Sequence, residues 1–184
     1  MPQSLSRVYV HITFSTKYRR KLIDNEISQE LFKYLGWVCK ALECNPVKVG
    51  GHRDHIHILC TLSRKITQAD LLEEIKKRSS KWIKTKGDKY LNFYWQNGYG
   101  IFSVDPDETD GLIDYIQDQE NHHRKKTFEE EYRMFLQKYN IEYDERYVWD
   151  WSMVMITPLW GFFGFPGLSA HGVAMGWLIT PRWG

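Results

Sequence analysis

The chain opens on a period-two pattern. Val8, Val10, Ile12 and Phe14 alternate with Tyr9, His11 and Thr13, which predicts a strand with one face buried. A second alternation runs through Ile56, Ile58, Cys60 and Leu62 against His55, His57, Leu59 and Thr61. It predicts another strand. Side chains two apart on a strand share a face. His55 and His57 therefore point one way, and Ile56, Ile58 and Cys60 face a core on the other side. Val47-Lys48-Val49 starts a short strand before it, with Gly50-Gly51 as the hairpin turn between the two. Leu91–Val104, rich in aromatic residues and broken at Asn97-Gly98, reads as a further strand or hairpin.

Between these runs the period changes to three and four. Ile27, Leu31, Leu35, Val38 and Leu42 predict a helix capped by Asp24 or Asn25. Leu71, Leu72, Ile75, Trp82 and Ile83 predict a second helix from about Thr67 to Lys84. A third helix is expected over Gly111–His123, with Leu112 and Ile116, and also Ile113, on its apolar side. Tyr115 and Gln119 are one turn apart on one face of it. Thr127 and Glu130 have capping-box spacing for a last helix, Phe128–Tyr139, ending near Asn140.

The order β-α-β-β-α-β is the split βαβ pattern of an α+β, ferredoxin-like or RRM-like domain. It predicts an antiparallel sheet with helices on one face, followed by the tyrosine-bearing helix. The other sheet face, carrying His55 and His57, is expected to be free. Residues 1–150 read as one domain and residues 151–184 as a variable extension. From Ser152 to Pro181 there is no Asp, Glu, Lys or Arg, yet glycines, Pro158 and Pro166 interrupt the stretch. Its longest clear apolar run is shorter than the roughly twenty residues of a membrane helix. The extension is expected to pack over an apolar surface or at a dimer contact.

Composition adds bounds. With 42% hydrophobic and 15% aromatic residues the chain can build one proper core. A net charge of +2 does not itself signal nucleic acid. Three cysteines with no Cys-x-x-Cys spacing favour neither disulfides nor a cysteine zinc site. The N-terminus lacks a signal-peptide pattern, so a cytoplasmic setting is expected, with no membrane partner.

Two features carry chemistry. His55-Ile56-His57 sets two imidazoles side by side on a rigid strand, a clamp for a metal ion, or else two polar residues on a wet face. Basic residues cluster in Lys17-Tyr18-Arg19-Arg20-Lys21, at Arg53, along Lys76, Lys77, Arg78, Lys81 and Lys84, and at Arg124-Lys125-Lys126. With Tyr18, Trp95 and Tyr99 to stack bases, these suit single-stranded nucleic acid, or else form solvated surface.

The His-hydrophobe-His strand, followed by Tyr115-x-x-x-Gln119 on a later helix, resembles the single-tyrosine transposases of the HUH nuclease superfamily. Those enzymes mobilise small insertion sequences and include the REP-associated tyrosine transposases. Val8–Phe14, Gly51–Leu59, Trp95-Gln96-x-Gly98-Tyr99, Phe102-Ser103 and the run from Tyr115 to Tyr132 also match, so the likeness spans about residues 5–150. The resemblance implies a DNA transposase that cleaves and rejoins single-stranded DNA at hairpin-containing element ends. Tyr115 would be the nucleophile, forming a 5′-phosphotyrosine. His55, His57 and Gln119 would hold one Mg²⁺ or Mn²⁺, with Glu120, His122 and His123 as rival or auxiliary ligands. Lys17, Arg19, Arg20, Arg53, Lys77, Arg78, Lys81, Arg124 and Lys125 are the main candidates for DNA contact. A homodimer is expected.

Other classes fit less well. A histidine-triad nucleotide hydrolase would want a third alternating histidine, but position 59 is Leu. A replication initiator or relaxase of the same superfamily is usually embedded in a larger chain. A non-catalytic or domesticated RRM-like binding protein is the alternative, and intact His55, His57, Tyr115 and Gln119 weigh against it.

Overall fold

The first alternation forms strand β1, Tyr9–Ser15, with Val10, Ile12 and Phe14 buried on one face. Asp24 caps helix α1, Asn25–Ala41, its carboxylate accepting from the backbone N–H groups of Glu26 and Ile27. Such a cap contributes about 1 kcal/mol. Strands β2 (Pro46–His52) and β3 (His55–Thr61) form a hairpin. Thr67 caps helix α2, Gln68–Lys84, through the N–H of Asp70. Strand β4, Gly100–Val104, closes the sheet. Helices α3 (Thr109–Gln117), α4 (Gln119–His122), α5 (Phe128–Lys138) and α6 (Glu145–Val148) follow. This computed structural model describes residues 5–123 and 126–148. The expected extension 151–184, and Arg124 and Lys125, lie outside the described residues.

The sheet is antiparallel in the order β2-β3-β1-β4, as the split βαβ pattern requires. Pairing of β1 with β3 sets Thr13 opposite His57 and Ser15 opposite His55. Ile56, Ile58 and Cys60 join the main core with Leu31, Leu35 and Val38 of α1 and Leu71, Leu72 and Ile75 of α2. Among the described residues no helix is long and apolar enough to cross a membrane.

The face expected to be free is covered. Leu59 packs with Val104 and with Ile116 of α3, and both histidines of β3 are fully buried. The cover comes from the tyrosine-bearing segment and from α5, whose Phe128 and Leu136 are buried.

Three other expectations change. Gly50-Gly51 is not the hairpin turn, because β2 continues through both and the chain turns at Arg53-Asp54. Gly50 is needed for space: a Cβ there would lie 2.7 Å from both the Cγ2 and the carbonyl oxygen of Ile116, where α3 crosses β2. Leu91–Val104 is only a strand from Gly100 onward, with Trp95 making an isolated bridge to Thr16. The expected single helix over 111–123 breaks at Asp118, which leaves helical geometry at φ −94° and ψ 23°.

Gly50→Ala should therefore destabilise the fold by about 1–3 kcal/mol through overpacking against backbone. Thermal unfolding checks this, with an expected fall of roughly 2–4 °C per kcal/mol.

Candidate metal and tyrosine site

Four imidazoles meet under α5. His55 and His57 come from β3, His11 from β1, and His123 from the end of α4. Neighbours fix each ring. Asp54 Oδ1 lies 2.7 Å from His55 Nδ1, so the carboxylate accepts Nδ1–H and leaves Nε2 as a lone pair. The carbonyl of Lys126 does the same for His123 Nδ1 at 3.0 Å. His11 Nε2 meets His57 Nδ1 at 2.9 Å, which leaves His57 Nε2 pointing into the cluster.

Gln119 fills the middle. Its Oε1 is 3.2 Å from His55 Nε2 and 3.0 Å from His123 Nε2. Its amide nitrogen donates to the carbonyl of Tyr115 at 3.3 Å and to Glu131 Oε1 at 3.5 Å, which sets the orientation of the amide. Glu131 reaches in from α5, with Oε2 3.5 Å from His57 Nε2, 3.6 Å from His123 Nε2 and 4.0 Å from His55 Nε2.

The outcome is a buried convergence of lone pairs. His57 Nε2 and Glu131 Oε2 have no hydrogen-bond partner, although both are buried. Burial of unsatisfied polar atoms is costly unless something completes them. A divalent cation would do so, and the ligand atoms of His55, His57 and Glu131 lie within 4.8 Å of one another. Imidazole nitrogens suit Mn²⁺ and Zn²⁺, and carboxylate and amide oxygens suit Mg²⁺ and Mn²⁺. The donor set fits a divalent metal.

Tyr115 stands beside this group. Its ring meets His57 edge-on at 5.6 Å and His122 at 4.9 Å, with Phe135 of α5 at 6.1 Å. Its hydroxyl is buried with no hydrogen-bond partner.

Burial also sets the proton affinities. It lowers His57 well below the usual imidazole value, with His55 and His123 adding repulsion. It brings His123 down to about 4. It raises Glu131 to about 7, against the pull of His55. Glu131 in the metal-free protein thus holds its proton below pH 7 and loses it above.

The structure brings together His55, His57, Gln119 and Tyr115, all anticipated from sequence. His123 joins them, and His122 lies against Tyr115. Glu120 is exposed and apart from the group. Glu131 was missed. In sequence it is one of three consecutive glutamates, which reads as solvated helix surface and carries no signal.

The basic candidates divide. Lys17, Arg19, Arg20 and Arg53 lie in the turns at the His55 end of the sheet. Arg19 pairs with Glu129 at 3.0 Å. Lys77, Arg78 and Lys81 lie on α2, which packs on the opposite sheet face, and Glu74 binds Arg78 at 2.7 Å and Lys77 at 3.7 Å. Lys76 does not present its charge to solvent. Its ammonium donates to the carbonyls of Gln96, Asn97 and Gly98, and burial brings its pKa to about 7. Trp95 is no surface platform either. It is buried against Phe14 and Phe93, and its indole N–H donates to Ser79 on α2.

The sequence matches the family of IS200-like transposases over residues 4–119, and the chain belongs to that family. It is a transposase by family. No curated protein matches the sequence. Its fold is similar to a crystal structure from Deinococcus radiodurans R1, described as a presumed transposase, at 18% identity and a TM-score of 0.51. That match covers 65% of this chain and 98% of the other. A REP-associated tyrosine transposase bound to a REP hairpin is also similar, at 16% identity and a TM-score of 0.49. There the match covers 67% of this chain and 73% of that one.

Because Glu131 must release its proton to bind a cation, Mn²⁺ affinity should fall about tenfold per pH unit below pH 7. Glu131→Gln should bind Mn²⁺ more weakly and with a shallower pH dependence. Calorimetric titration between pH 6 and pH 8 checks both.

Proposed function

We propose that this transposase cuts and rejoins single-stranded DNA through Tyr115. The observation that carries the reading is the edge-on contact of the Tyr115 ring, whose buried hydroxyl has no hydrogen-bond partner, with His57 of the His55–His57–Gln119 cluster. The hydroxyl oxygen of Tyr115 attacks the phosphorus of a phosphodiester. A bond forms between Tyr115 Oη and phosphorus, and the bond to the 3′ oxygen breaks. The phenol proton is given up to a base, and the leaving oxygen takes a proton to become a free 3′-OH. Attack by a 3′-OH on the phosphotyrosine reverses the step and restores the tyrosine. The bond energy is thus kept for resealing, which water as nucleophile would not allow.

A phenol has a pKa of about 10, so forming phenolate at neutral pH costs about 4 kcal/mol. A positioned base or a cation beside the phenol must offset part of that cost. His55, His57 and Gln119, with Glu131 added, are the residues that would hold Mg²⁺ or Mn²⁺. When bound, such an ion polarises the phosphate and stabilises charge on the departing oxygen. Asp54 and His11 orient the histidines. Lys17, Arg19, Arg20 and Arg53 would meet the DNA backbone at the same end of the sheet. Arg124 and Lys125 belong to the same proposal from sequence.

The substrate we infer is a single strand carrying a hairpin near its end, as the resemblance read from sequence implies. A homodimer is part of the reading, and light scattering at high protein concentration tests it, a sole monomeric species overturning it. The alternative of binding without cleavage draws on the enclosure of the site, since both histidines and the Tyr115 hydroxyl are buried beneath α5. A phosphodiester reaches them only when α5 yields.

One gel assay separates these readings. Labelled, hairpin-flanked single-stranded DNA is incubated with Mn²⁺ and either the native chain or Tyr115→Phe. The native chain should form a covalent adduct that Tyr115→Phe abolishes, a loss of at least about a thousandfold in rate. DNA binding with no adduct in any metal would make the protein a binding module.

A further inference from the structure

Beside the cluster, on the β1–β4 side, lies a cavity of about 210 Å³. Thr13, Ser15, Arg19, Tyr99, Phe128 and Tyr132 line it. We propose that it is a pocket for one unpaired nucleobase of the strand being cut, adjacent to the scissile phosphodiester. This deepens the single-strand cleavage reading and rests on it.

The first observation is an orphaned hydroxyl. Thr13 is fully buried, and its Oγ1 has no hydrogen-bond partner. A threonine hydroxyl both donates and accepts, so it can meet a ring nitrogen, an amine or a keto oxygen on the edge of a base. Leaving it unpaired has a cost that an incoming polar edge would return.

Size and walls agree. The cavity is smaller than the roughly 300–1,000 Å³ of sites for drug-sized molecules, and it suits a single planar heterocycle. Tyr99, Phe128 and Tyr132 give it aromatic surface, which every base can stack on. The Arg19 guanidinium, tied to Glu129, stands at the wall as a positive group toward the backbone.

The pocket is built in advance. Lys76 fixes the carbonyls of Gln96, Asn97 and Gly98, the loop that leads into Tyr99, and its ammonium sits 5.5 Å from the Tyr99 ring. The half-buried Lys76 ammonium thus ties this loop to α2.

Position supplies the last step. Thr13 is the cross-strand partner of His57, and neighbouring strands lie about 4.8 Å apart. Phe128 is shared, since its ring stacks on His55 at 4.5 Å while the side chain also lines the cavity. A base in the pocket is therefore next to whatever phosphate the cluster engages.

The test is selection of binders from a randomised single-stranded DNA library, with no metal required. It uses the native chain, Thr13→Val and Tyr99→Leu. Thr13→Val keeps shape and removes the orphan, so its melting temperature should equal or exceed that of the native chain. The native chain should select one base strongly at a single position. Thr13→Val should lose the preference at that position alone, and Tyr99→Leu should weaken binding about 5- to 100-fold. If all three select the same sequences with the same affinity, the pocket reads no base, while the transposase reading stands. If the native chain binds no single strand and forms no adduct, both fall. Tight binding of free deoxynucleoside monophosphates without oligonucleotide binding would also overturn the assignment to DNA.

Discussion

The alternation along β3 governs both the fold and the site. Ile56, Ile58 and Cys60 enter the core beneath α1 and α2, while His55, His57 and Leu59 enter the layer beneath α3 and α5. Both faces of the sheet are buried, so a slip of one residue would place imidazoles in the main core and isoleucines among the lone pairs. The hydrophobic pattern that makes the strand thus also fixes which way the histidines point. Pairing with β1 adds His11 and Thr13 to the same layer, and Asp54 in the hairpin turn sets the tautomer of His55.

What the sequence made legible follows from periodicity. The β-α-β-β-α-β succession, the Asp24 cap, the helix start near Thr67 and the capping box at Thr127 are local signals, and the structure bears them out. His55, His57, Tyr115 and Gln119 came from spacing and resemblance, and their convergence is geometric. Glu131 was not legible, because a glutamate within Glu129-Glu130-Glu131 reads as solvated helix surface. Only the docking of α5 on the sheet gives it a partner. Lys76 failed for the converse reason, since a lysine beside Lys77 and Arg78 reads as a basic face. The helix turns its ammonium toward three carbonyls of a loop that is twenty residues away in sequence. Gly50 was given to a turn because Gly-Gly usually marks one, whereas the close crossing of α3 over β2 is a long-range contact. The break at Asp118 carries no proline or glycine to announce it.

That break matters for the site. A continuous helix would carry Gln119 straight on from Tyr115. With the turn at Asp118, the Gln119 amide caps the carbonyl of Tyr115 and still meets His55 and His123. The tyrosine ring is left to lean on His57 and His122. The Gln119 side chain is thus tied to the Tyr115 backbone; on the proposed reading this places the nucleophile's main chain beside the third metal donor before any substrate arrives.

The cover over this group has an energetic consequence. Phe128 stacks on His55, and Phe135 packs on His11, His57 and Tyr115. Phe128 is buried and Phe135 half-buried, so lifting α5 exposes apolar surface at a cost of about 25 cal/mol per Å². A metal held by Glu131 would pull in the same direction as the cover, because that carboxylate belongs to α5. On the proposed reading, a base held between Tyr99, Phe128 and Tyr132 touches the very helix that must yield. Base recognition and access to the tyrosine then act on one element, and a strand can open the site only by as much as it prefers the open form over the closed one. A base seated in the pocket as it stands holds α5 in place, so a strand uncovers Tyr115 only through contacts that the closed form lacks.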